Sequence, residues 1–100
     1  MVKISIVDDK CQRRLVMEGK LIAPLAAELK STCERARADL NGRGFIVDIR
    51  NLTLIKQEGE NILIELMKEG VTFHCGGVFA KHVLREIADR ASVQLQEVSS

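Results

Sequence analysis

Hydrophobic and polar positions change their period several times along this chain, and each change marks an element. Residues 2–7 and 12–18 read as two short strands separated by a turn at Asp8, Asp9 and Lys10, which makes them an antiparallel hairpin. Leu25, Leu29, Cys33, Ala36 and Leu40 then recur at helical spacing. This predicts a helix that begins at Pro24, whose missing amide suits a first turn, and ends near Asn41 and Gly42.

The segment GFIVDIRNLTLIKQEGENILIEL, residues 44–66, carries the densest information. Phe45, Ile46 and Val47 form a continuous apolar run, the pattern of a strand buried on both faces with helices above and below it. The strand is expected to end at Asp48 and a short loop to follow. A helix then starts near Gln57, with Glu58 and Glu60 in its first turn, where negative charge suits the helix dipole. Ile62, Leu63, Leu66 and Met67 should face the sheet, and Gly70 should stop the helix. Val71 to His74 give the next strand, Gly76 and Gly77 a turn, and Phe79, Val83, Leu84, Ile87, Ala88 and Ala91 the apolar stripe of a third helix. Ser92 to Val98 are compatible with an edge strand. The expected architecture is α/β in the order β-β-α-β-α-β-α(-β), a mixed sheet of four to five strands with about three helices, in one domain spanning 1–100.

Composition narrows the function. Lysine and arginine total 15 against 14 acids, a net charge of +1, so no strong field draws the chain to nucleic acid or to an anionic membrane. Three phenylalanines are the only aromatic residues, too few for a base-stacking platform. The opening MVKISIVDDK is too short in apolar residues to read as a signal peptide, and charges interrupt every longer apolar run, so no membrane insertion is expected. Cys11, Cys33 and Cys75 are widely spaced and form no CxxC pair. That argues against a disulfide framework and a zinc site, and for a reducing cytoplasm.

The stretch VDIRNLTLIKQEG resembles the central motif of the STAS domain, the sulfate transporter and anti-sigma factor antagonist family, in which a strand ending in Asp leads to an Asp-Ser-Ser-Gly at a helix start. The frame aligns without a gap, and the Asp-Ser-Ser falls on Lys56, Gln57 and Glu58. LVMEGKLIAPLAAELK, with Gly19 in a turn position, and VTFHCGGVFAKHVLREI extend the resemblance over most of the chain. The resemblance implies a bacterial, non-enzymatic signalling domain that binds a protein, either an anti-sigma factor or serine kinase or a subunit of a lipid or solute transport complex. It also implies that the phospho-acceptor serine is missing.

Candidate chemistry is otherwise sparse. His74 and Cys75 adjoin at a strand end before a glycine turn, a setting that can activate a thiol, but adjacent strand residues point to opposite faces, so His74 is poorly placed as its base. His82, among Lys81, Arg85 and Glu86, reads as a solvated residue. No catalytic residue, metal ligand or cofactor is therefore expected. The expected partner-binding residues are Thr53, Lys56, Gln57, Glu58, Gly59 and Asn61, with Gly59 allowing close backbone approach by a partner. The Gly76–Gly77 turn is a second candidate, as an anion or small-molecule turn in a ligand- or nucleotide-sensing domain.

Overall fold

A computed structural model describes residues 2–23 and 25–98. The elements follow the order β1 (Val2–Asp8), β2 (Gln12–Leu21), α1 (Leu25–Ala38), β3 (Gly44–Ile55), α2 (Gln57–Lys68), β4 (Thr72–His74), α3 (Val78–Ala91) and β5 (Gln96–Val98). The edge strand foreseen within 92–98 is present, and the whole is the expected mixed α/β sheet with three helices. The expected helix start at Pro24 lies outside the described residues.

The five strands lie side by side in chain order, β1 antiparallel to β2 and every later pair parallel. Each parallel pair is joined by one helix, and such crossovers are almost always right-handed. Because the strands advance steadily in one direction, all three crossovers bring their helices to the same face. Burial agrees with that arrangement. Leu15, Met17, Val47, Ile49 and Phe73 are fully enclosed beneath the helices, together with Leu29 and Cys33 of α1, Leu63 and Leu66 of α2, and Leu84 and Ile87 of α3. Their strand neighbours Val16, Ile46 and Thr72 point the other way and are only half-buried. The expectation of helices on both faces of 45–47 is therefore corrected: the sheet has one covered and one bare face.

Three boundaries also move. The third strand does not end at Asp48. It stays paired with β2 as far as Ile55 by way of two register shifts, between Val16 and Glu18 and between Gly19 and Lys20, where β3 holds one more residue than its partner. Residues 51–55, expected as a loop, are strand. Gly19, expected in a turn, lies inside β2 at the second shift with φ +100°, which only glycine adopts readily. The first helix ends at Ala38, short of Asn41 and Gly42, which turn the chain at φ +54° and +84°. The stripe of α3 is Ala80, Leu84, Ile87 and Ala88, while Phe79, expected inside, is 46% exposed.

Candidate functional site

The parallel strands run so that the starts of α1, α2 and α3 all follow strand carboxyl ends, the end of α/β sheets where ligands and partners usually bind. Both candidate regions foreseen from sequence, the start of α2 and the Gly76–Gly77 turn, are at this end.

The start of α2 forms a polar ridge. Lys56, Gln57, Glu58 and Asn61 are all exposed, and Gln57 Nε2 donates to Asn61 Oδ1 at 3.2 Å, stiffening the ridge along one helical turn. Lys56 occupies the N-cap position and no side chain caps the helix. Serine, threonine, asparagine or aspartate would normally accept from the amides of the first turn, and lysine has no acceptor to offer. The first-turn amides are thus left to solvent or to a partner.

A shallow apolar groove runs along each side of this ridge. One, of about 280 Å³, lies between α1 and α2 and is lined by Ala23, Ala26, Ala27, Glu58, Asn61 and Ile62. The other, of about 180 Å³, is walled by Leu54 and Ile55 of β3 and by Phe79 and Val83 of α3, with Glu60, Glu86 and Arg90 at its edges. Arg90 Nη2 reaches Glu60 Oε1 at 3.1 Å and ties α3 to α2 beside this groove. Phe79 in its wall is 46% exposed, and Val78, the preceding residue of α3, is 87% exposed beside Lys81, His82 and Arg85. Sequence reading missed both grooves. Their signals were the alanines of LIAPLAAEL and a phenylalanine two residues after the Gly-Gly turn, one position ahead of the buried stripe.

Two foreseen site residues play internal parts. Gly59 is buried, and a Cβ there would lie 2.8 Å from Leu21 Cγ and 3.0 Å from the Leu21 carbonyl oxygen. Its glycine is needed for close approach of α2 to β2, and not for approach by a partner. Thr53 is exposed on β3, and its hydroxyl donates to the Gly19 carbonyl at 3.2 Å across the second register shift. Gly77 sits at the N-cap of α3 with φ +100°, and Gly76 is half-buried before it.

The bare face of the sheet holds a second cluster, centred on Asp48. Asp48 is 0% exposed although no helix covers it. Arg50 clasps both its oxygens, through Nε at 3.1 Å and Nη2 at 2.8 Å, and the Arg50 amide donates to Oδ1 at 3.0 Å. Arg14 comes within 3.7 Å and His74 Nδ1 within 3.9 Å of Oδ2. Burial pushes the Asp48 carboxyl up, but the hydrogen bonds from Arg50 and the surrounding positive charge outweigh it and hold the pKa below the usual carboxylate value. His74 is 6% exposed, and neither ring nitrogen has a hydrogen-bond partner among the described residues. Its burial, followed by the nearby Arg50 charge, lowers its pKa and keeps the ring neutral.

Cys75 faces the opposite side, in the core, and burial pushes its thiol up to about 11. A thiol so hard to ionise is a poor nucleophile, and His74 lies across the sheet from it. His82 is exposed on α3 near Glu86. No helix among the described residues is long and apolar enough to cross a membrane.

The fold belongs to a recognisable class, the α/β arrangement called SpoIIAA-like. The chain resembles the crystal structure of an anti-sigma factor antagonist from Mycobacterium paratuberculosis with a TM-score of 0.74, at 13% identity, over 96% of this chain and 86% of that one. It also resembles an uncharacterised Shewanella loihica protein with a SpoIIAA-like fold, with a TM-score of 0.59, at 14% identity, over 97% and 84% of the two chains. No family model matches the chain, and no curated protein matches it by sequence. At such identities the likeness establishes the fold.

Proposed function

We propose that this protein is a non-enzymatic regulatory domain that binds another protein through the polar ridge of α2 and its two flanking grooves, in the manner of an anti-sigma factor antagonist but without a phosphorylation switch. The observation that carries the reading is the ridge itself: an uncapped helix start with four exposed polar residues between two apolar grooves, one walled by the half-exposed Phe79. Apolar anchoring sites inside a polar rim are the usual anatomy of a protein interface. The fold of the Mycobacterium antagonist supports a protein partner of the anti-sigma class.

Gln57 and Glu58 stand where the resemblance puts the acceptor serine, so neither offers a hydroxyl. The nearest hydroxyl in the segment, Thr53, is engaged with Gly19. Regulation by a serine kinase is therefore absent from this reading. An exposed, unpaired Cys11 thiol supports a reducing, cytoplasmic setting.

The test is calorimetric titration with an anti-sigma factor from the same genome. Gln57→Arg combined with Glu58→Arg puts two cations beside Lys56 at the positive end of a helix dipole. This should cost the fold only about 1 kcal/mol at an exposed first turn. Binding should be lost, because misplaced interfacial charge can cost several kcal/mol. An unchanged dissociation constant moves the site elsewhere.

A further inference from the structure

The two edges of the sheet are unlike. β5 is an edge of three residues, short enough to discourage pairing with another strand. β1 is an edge of seven residues, VKISIVD, and its pairing with β2 runs from Val2–Gly19 to Asp8–Arg13 without a bulge. It carries no proline, and its charges stand only at positions 3 and 8, near the ends. Natural sheets usually blunt a long edge with a proline, a bulge or a central lysine, and β1 has none of these. Ile6 and Val7 are 47% and 55% exposed on it.

We propose that β1 is an interface between two copies of this chain, which pair antiparallel about a two-fold axis at Ser5 to form one continuous sheet of twice the width. The central positions 4–6 are self-complementary in that register. A two-fold axis normal to the sheet keeps each face continuous, so even positions meet even ones and odd meet odd. Centring on Ser5 then sets Ile4 of each copy against Ile6 of the other, and Ser5 against Ser5. Ile4 and Ile6 lie opposite Met17 and Leu15 on β2, both fully buried under the helices. The paired isoleucines therefore extend the core row across the junction, and the exposed Ile6 gains its missing neighbour. On the bare face Val7 of each copy meets Lys3 of the other, whose aliphatic stem can lie along it. Val2 falls opposite Asp8 only at the two outer ends of this register, whereas shifting the centre to Ile6 would bring Asp8, which already binds Arg13 and Arg43, against Ile4 nearer the middle of a shorter seam. Ser5 is the midpoint of Val2–Asp8, so this register alone pairs all seven residues of the strand.

The interface is independent of the ridge on α2, so either can fail without the other. Sedimentation of the purified full chain over a concentration series is expected to show a reversible dimer, and Ile6→Lys a monomer with an unchanged far-ultraviolet dichroism spectrum. Paired strands set directly opposed Cα atoms about 4.5–5.5 Å apart, within disulfide reach. In a Cys11→Ser background, which removes the exposed native thiol, Ser5→Cys should cross-link to itself under mild oxidation, while Lys3→Cys should not. A wild type that stays monomeric throughout leaves the edge to some other chain's strand and overturns the proposal. So does a dimer that survives Ile6→Lys, or a Lys3→Cys dimer that cross-links where Ser5→Cys does not.

Discussion

The two faces of the sheet are built from alternate residues of the same strands, yet they are held by different forces. Beneath the helices, Leu15, Met17, Val47, Ile49 and Phe73 form a dry apolar layer in which burial of surface supplies the stabilisation. On the bare face, one residue away along each strand, Arg14, Asp48, Arg50 and His74 replace that layer with a charge cluster that buries itself. Guanidinium groups there do what a helix does on the other side: they exclude water from the strand, while satisfying the carboxylate they cover. An apolar run in a strand therefore does not by itself require two helical layers. One layer suffices when the other face is closed by its own long polar side chains.

The comparison breaks most clearly under substitution. Phe73→Ala empties the centre of the covered face, where no side chain can collapse freely into the space, and should cost about 3–5 kcal/mol in chemical denaturation. Asp48→Ala on the bare face leaves two guanidinium groups without their carboxylate and the Arg50 amide unpaired. Both arginine side chains retain some access to water, so the loss should be smaller, about 1–3 kcal/mol. Equal losses would mean that the two faces do not differ as described.

A smaller effect concerns pH. The His74 pKa is lowered in the folded state, so below the unfolded histidine value of about 6.5 the unfolded chain takes up a proton that the folded chain resists. Its contribution to stability is thus fully present above that pH and is lost as pH falls toward the folded pKa. The Asp48 pKa is also lowered, so its contribution is present above the unfolded value of about 3.9 and is lost at lower pH still. Denaturation midpoints should fall in two stages on acidification, the first removed by His74→Phe. A His74→Phe protein with the same profile above pH 5 as the wild type would contradict the buried, neutral ring.

Much of this fold was legible because the period of the apolar residues changes where the elements change. The starts of α2 and α3, the stopping Gly70 and the edge strand all follow from local pattern. What escaped depends on pairing. The continuation of β3 through residues 49–55 rests on register shifts against β2, which no local signal marks, and polar residues such as Arg50 and Asn51 read as loop. The same limit hid the Asp48 cluster, since Arg14, Asp48 and His74 are neighbours only through the ladders Val16–Asp48 and Asp48–His74. At the candidate site, the motif frame picks out Lys56, Gln57, Glu58 and Asn61, and all four are exposed. The reason for Gly59 did not follow, because its neighbour Leu21 is distant in sequence and close only in the packed structure.

The bare face and the α2 ridge are two separate surfaces on which a protein partner can dock, and hydrogen exchange separates them directly. With an anti-sigma factor from the same genome bound at saturation, amide exchange followed by mass spectrometry should slow across residues 54–62 and 76–83, which contain the ridge and the groove beside Phe79. Residues 13–16 and 45–48 should keep their free-state rates. Protection confined to those strand residues, with none over 54–62, would contradict the account and assign docking to the face that the arginines close.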